Sequence, residues 1–141
     1  MLSKPFRLLF ISSIIFFSAF ILFPVSNPAV ADDSGIKILE KETLGRYLVD
    51  WRGITLYRFA RDEKNISHCI EGCAANWPPF YTDMVSGVKG CEDSDFSTIT
   101  RPDGTKQTTY NGMPLYYFKN DRYTGDTFGN GIGDVWFLVK P

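Results

Sequence analysis

One histidine and three cysteines are all that 141 residues offer of those two side chains. His68 stands directly before Cys69, so no Ser-His-Asp set is evident. It also precedes the Cys69/Cys73 pair, whereas haem attachment needs a histidine after Cys-x-x-Cys. Positive charge is not in excess: 15 Lys and Arg face 16 Asp and Glu. Without a basic patch, a nucleic-acid partner is not expected. No Gly-rich segment follows a strand and opens a helix, which excludes a phosphate-binding loop. Only one long apolar run exists, Leu8 to Phe23, and no cysteine follows it to take a lipid.

That run has the marks of an export signal. Lys4 and Arg7 precede it, Pro24 breaks it, and Ala29-Val30-Ala31 fits a small-x-small cleavage site before Asp32. Its sixteen residues fall short of the about 20 needed to span a bilayer. A cleaved signal over residues 1–31 is therefore expected, rather than a retained anchor. Removing Lys4 and Arg7 leaves 13 basic against 16 acidic groups in residues 32–141, a net charge of −3. No second apolar run there is long enough to span a membrane.

What the chain does have is an internal repeat. Arg52-Gly53-Ile54-Thr55-Leu56-Tyr57-Arg58-Phe59, then Asp62 and Trp77, recurs as Asn111-Gly112-Met113-Pro114-Leu115-Tyr116-Tyr117-Phe118, then Asp121 and Trp136. Gly, Leu, Tyr, Phe, Asp and Trp coincide at one offset of 59 positions. A repeat of this kind means two copies of one supersecondary unit, neither of which buries its apolar face alone.

Each copy reads as strands. Tyr47, Val49 and Trp51 alternate with Arg46, Leu48 and Asp50, and Ile54 to Ala60 alternates again after Gly53, which predicts a hairpin over Leu44–Ala60. Cys69 to Asn76 tolerates a helical turn or two, ended by Pro78-Pro79. Thr82 to Asp95 is an aperiodic connection. Phe96–Thr100, a Pro102-Asp103-Gly104 turn and Thr105–Tyr110 form a second hairpin. Asn111-Gly112, the strongest turn signal, joins it to Met113–Phe118. Asn120 to Asp134 is a loop rich in Gly and Asn, and Val135–Val139 a last strand. The expected fold is all-β with a minor helical turn near the Cys pair. Two pseudo-repeated hairpin units, about 44–81 and 96–141, pack as a small sandwich or barrel-like domain within 32–141. Leu56, Tyr57, Phe59, Leu115, Tyr116, Phe118, Trp77 and Trp136 form its core.

Further motifs accompany the repeat. They include Leu44-Gly45-Arg46-Tyr47-Leu48-Val49-Asp50, Ser67-x-Cys69-x-x-Gly72-Cys73-Ala74, Trp77-Pro78-Pro79 and Arg101-x-Asp103-Gly104-Thr105-x-Gln107, with Gly125-Asp126-Thr127-x-Gly129-x-Gly131 near the end. Together they resemble the bacterial "secreted repeat of unknown function" family, whose members are often predicted lipoproteins. The resemblance runs from about Gly35 to Pro141 and implies export and a two-repeat β fold; the family has no established catalytic activity to carry over. This chain departs from the pattern in lacking the lipid-attachment cysteine, in Thr108 where an aromatic is common, and in the additional Cys91.

Cys69 and Cys73 are the sharpest chemical feature. In an exported protein the first expectation is a disulfide, with Cys91 left over. The alternative is a metal or redox site of His68, Cys69 and Cys73, whose soft ligands suit copper. A second candidate is calcium at Asp121, Asp126, Asn130 and Asp134, oxygen donors in a Gly-rich loop; plain turn-capping is the simpler account. Asp62 and Asp121 are equivalent by duplication, each expected to cap its hairpin rather than to form a catalytic pair. No cofactor is expected unless copper binds. The overall expectation is an exported, periplasmic or extracellular, non-enzymatic binding or structural module with an envelope or extracellular partner.

Overall fold

The computed structural model describes residues 34–141. The expected signal over 1–31 and the start at Asp32 lie outside the described residues. Among the described residues, seven short strands form three antiparallel sheets. Strands β1 (Ile36–Lys41) and β2 (Gly45–Asp50) pair with each other; β3 (Tyr57–Phe59) pairs with β7 (Trp136–Leu138); β4 (Phe96–Thr100), β5 (Lys106–Tyr110) and β6 (Met113–Pro114) make a meander. Among the described residues one α-helix, α1 (Gly72–Asn76), lies within the first repeat and stops at Trp77, before Pro78.

Side-chain alternation divides the interior in two. In β2, Tyr47 and Val49 join one cluster and Leu48 the other. The repeat segments divide in the same way. Tyr57, Phe59, Tyr116 and Phe118 enter the aromatic cluster, while Leu56 and Leu115 enter the second, with Ile36, Phe80, Val88 and Val139. Because both faces are covered, Tyr47 to Asp50 are all buried.

The second hairpin, β4–β5, forms as expected, and so does the turn that joins it to β6. Asn111 and Gly112 both have positive φ, 51° and 81°, the two-residue turn that matches strand twist. The first turn is one residue longer. Leu56 N bonds Leu48 O, where Leu115 N bonds Thr108 O. Asp50 holds that turn, accepting from Arg52 N and Ile54 N at 2.8 and 2.9 Å. Trp51, expected on the same face as Tyr47 and Val49, is instead 61% exposed.

Two further expectations need correction. Leu44–Ala60 is not a self-contained hairpin: the regular partner of β2 is β1, a strand that precedes the expected hairpin. Met113–Phe118 is not one continuous strand on β5. Its ladder to β5 ends at Pro114, and Tyr116 turns to pair with Tyr57 and Pro79.

This last pairing organises the molecule. Tyr57 and Tyr116 exchange both backbone hydrogen bonds, 2.8 and 2.9 Å. On the outer side of Tyr57–Phe59 lies Trp136–Leu138, from the second repeat. On the outer side of Tyr116–Phe118 lie Asn76 to Pro79, from the first, with Tyr117 N to Pro78 O at 2.8 Å and Lys119 N to Asn76 O at 3.0 Å. Each repeat's Trp segment therefore completes the other repeat's hairpin. The repeats are interleaved rather than merely packed face to face.

Candidate functional site

The interleaving brings the repeated Tyr and Asp residues together across the repeat boundary. Tyr116 Oη donates to Asp62 Oδ2 at 2.6 Å, and Tyr57 Oη donates to Asp121 Oδ2 at 2.5 Å. Each carboxylate's other oxygen holds its own loop, Asp62 accepting from His68 N at 2.7 Å and Asp121 from Phe128 N at 3.0 Å. Both Asp residues thus cap, as expected, and each also ties its loop to the opposite hairpin. Burial raises both carboxyls above the ordinary range, and the Tyr and backbone donors offset only part of that. Tyr57 and Tyr116 are pushed up in turn, by burial and then by the carboxylate each one faces.

The two ends differ in what backs the phenol. Ser67 Oγ lies 2.7 Å from Tyr116 Oη, and the buried Arg101 guanidinium donates to Ser67 Oγ, Gln107 Oε1 and the Cys69 carbonyl, each at 2.7 Å. Gln107 Nε2 passes the chain on to Leu115 O at 2.8 Å. At the other end Gly129 N donates to Tyr57 Oη at 3.2 Å. A Cβ at Gly129 would fall 2.8 Å from both the Trp77 and Tyr57 rings, so only glycine fits there. The Arg101, Asp103, Gly104, Thr105 and Gln107 motif carried the signal for this network. Its meaning lay in contacts that a linear reading does not reveal.

The sequence-predicted ligand sets are placed as follows. Cys69 and Cys73 are bridged, with Cα atoms 5.2 Å apart, and Cys91 is free. Burial pushes the Cys91 thiol up. The His68 ring is half-exposed and contacts Glu63 at 3.2 Å. In the calcium set, Asp121 serves Tyr57 and Phe128. Asp126 accepts from Arg122 N and Tyr123 N at 3.0 Å, bonds that hold its carboxyl below the usual range. Asn130 accepts from Leu138 N at 3.2 Å, and the exposed Asp134 sits in a turn at φ 55°. Among the described residues no group of three His, Cys, Asp or Glu is arranged to hold a metal ion.

The surface carries a second feature. Thr124 Oγ1 donates to Arg52 O at 2.9 Å and Gly125 N to Gly53 O at 3.0 Å, joining the Trp51-Arg52 turn to the turn bearing Tyr123. Trp51 and Tyr123 are both exposed. The Arg52 guanidinium lies 5.7 Å from the Trp51 ring centroid and 5.9 Å from that of Tyr117. Asp50 anchors it at 2.9 Å. A hollow of about 260 Å³, lined by Asn65, Ser67, Ile99 and Arg101 among others, opens elsewhere.

No helix among the described residues is long and apolar enough to cross a membrane. Comparison with curated proteins and with solved structures returns no match. Comparison with protein families does, and it finds the repeat twice, over residues 39–81 and 97–140. Each match spans one hairpin and its Trp or following segment, the units that the structure interleaves. The chain belongs to the family described as a secreted repeat of unknown function.

Proposed function

We propose that this exported protein is a non-enzymatic binding or structural module of the cell envelope, working in the periplasm or outside the cell as one domain over residues 32–141. One observation carries this. The paired Asp and Tyr groups, where acid-base chemistry would be sought, are committed to each other across the repeat boundary. The outward-facing Trp51, Arg52 and Tyr123, fixed by Asp50 and Thr124, are left for contact. Rigid exposed aromatics beside an arginine suit recognition, because they bury large area with little loss of rotamer freedom.

Co-sedimentation with isolated envelope fractions tests it. Binding that survives in Asp62→Asn and disappears in Trp51→Ala/Tyr123→Ala supports the module. A turnover activity lost in Asp62→Asn, with the fold intact, opposes it. Copper binding or thiol redox at His68, Cys69 and Cys73 is a second reading. It draws on the closeness of the three residues in sequence, and it requires reduction, since bridged sulfurs supply no thiolate.

A further inference from the structure

The aromatic cluster is continuous from one Tyr-Asp pair to the other. The Tyr116 ring meets Trp136 edge-on at 5.2 Å; Trp136 stacks on Trp77 at 3.8 Å and 4° from parallel; Trp77 meets Tyr57 edge-on at 5.4 Å. Phe59 and Phe118 cap the stack at 4.3 and 4.4 Å. A core needs such rings for apolar burial. For the phenol alone a neutral oxygen would satisfy the hydroxyl without the penalty of burying a charge, although the second oxygen of each carboxylate also holds a loop N–H. Both ends carry a carboxylate, in the same geometry.

We propose that the Tyr116–Trp136–Trp77–Tyr57 run relays single oxidising equivalents, with Asp62 and Asp121 as the proton acceptors at its two ends. Two indoles in face contact share the charge of a missing electron, which makes the pair the easiest place in the core to oxidise. A phenol loses an electron readily only when a base takes its proton at the same time. The hydrogen bonds to Asp62 and Asp121 supply that base.

The step balances as follows. A radical oxidant takes one electron from the indole pair and becomes its anion. An electron from Tyr116 refills the pair. The Tyr116 O–H bond breaks, and its proton forms an O–H bond on Asp62 Oδ2. The products are a neutral phenoxyl radical, a neutral carboxylic acid and the reduced oxidant. A one-electron donor of the thiolate or quinol class returns the phenoxyl to phenolate, which recovers the proton from Asp62. Tyr57 and Asp121 perform the same exchange at the other end. With Asp62 and Asp121 each under a tenth exposed, the protons stay within the pair.

Pulse radiolysis with the azide radical tests the relay. In Trp51→Phe the stacked pair holds the remaining indoles of the three in the chain. The indolyl absorption should convert to tyrosyl absorption in a first-order process independent of protein concentration, and the conversion should slow in D2O. In Asp62→Asn/Asp121→Asn it should slow by about 100-fold, the scale of a positioned proton acceptor. In Tyr57→Phe/Tyr116→Phe it should vanish. Conversion that depends on protein concentration, or that is equally fast in D2O, overturns the proposal, and the second readout needs no further substitution. So does a tyrosyl signal that persists without Tyr57 and Tyr116 in a variant with native near-ultraviolet dichroism.

Discussion

Trp77 and Trp136, one from each repeat, stack face to face at 3.8 Å with their planes 4° apart. Equivalent residues can meet in this way only if they lie beside an axis relating the two copies, and the reciprocal Tyr57–Tyr116 backbone bonds lie on the same relation. Both indoles are buried, at 5% and 4% exposure. Truncating either to Ala should destabilise the protein by about 3–5 kcal/mol. The double variant should lose less than the sum, because the rings are each other's neighbours. Urea titrations of the four proteins measure this. In Trp51→Phe the stacked pair should also give an exciton couplet in circular dichroism, absent from Trp77→Phe.

The raised carboxyls of Asp62 and Asp121 set a pH dependence. Burial penalises their charged form more than their partners favour it, so the folded protein holds these protons more tightly than the unfolded chain. Stability from this source is complete below the unfolded pKa of about 3.9 and is lost as pH rises through the folded values. Thermal melts across the acid-to-neutral range should show Asp62→Asn/Asp121→Asn gaining on the parent protein as pH rises. Parallel curves would contradict the assignment. Comparing the two proteins cancels the opposite trend from Asp103 and Asp126, whose carboxyls are lowered by hydrogen bonds.

Gly112 should resist substitution. Its φ is 81°, and a Cβ there would lie 2.5 Å from Lys64 Cγ. Left-handed backbone at a β-branched residue costs about 1–3 kcal/mol, so Gly112→Val should lower the melting temperature markedly. An unchanged melt would mean that the β5–β6 register is wrong.

The Cys69–Cys73 bridge closes a short loop, and reducing it should cost about 2 kcal/mol on loop entropy. Peptide mapping without reduction should recover Cys69 linked to Cys73 and Cys91 free. A fragment linking Cys91 to either would exclude this pairing. Stoichiometric copper on reduced protein, lost in Cys69→Ser, would favour the metal reading.

What the sequence made legible was local or duplicated. Pro102-Asp103-Gly104 and Asn111-Gly112 fix the β4–β5–β6 meander through turn chemistry, and the shared spacing from Asp to Trp pointed to two equivalent buried indoles. What it hid was partner choice. Nothing near Phe59 says that its strand partner is Trp136 rather than the nearer Trp77, because pairing between repeats is a non-local contact chosen by packing. For the same reason Asp62 read as a cap and its bond to Tyr116 was missed. Arg101 stood out only as part of a shared motif, yet its guanidinium is buried among Ser67, Gln107 and the Cys69 carbonyl. Ile36–Lys41 went unread because its alternation is short and its partner begins only after Leu44.

The interleaving itself is tested most directly by cross-strand NMR contacts around Phe59. Its strand pairs Phe59 with Trp136 and Tyr57 with Leu138, while Asn76 to Pro79 lie along Tyr116–Lys119. Backbone proton cross-peaks should therefore connect the Tyr57–Phe59 segment to Trp136–Leu138, and the Tyr116–Phe118 segment to Trp77–Pro79. Cross-peaks joining Tyr57–Phe59 to Trp77–Pro79 instead, each hairpin closing on its own Trp, would contradict the account.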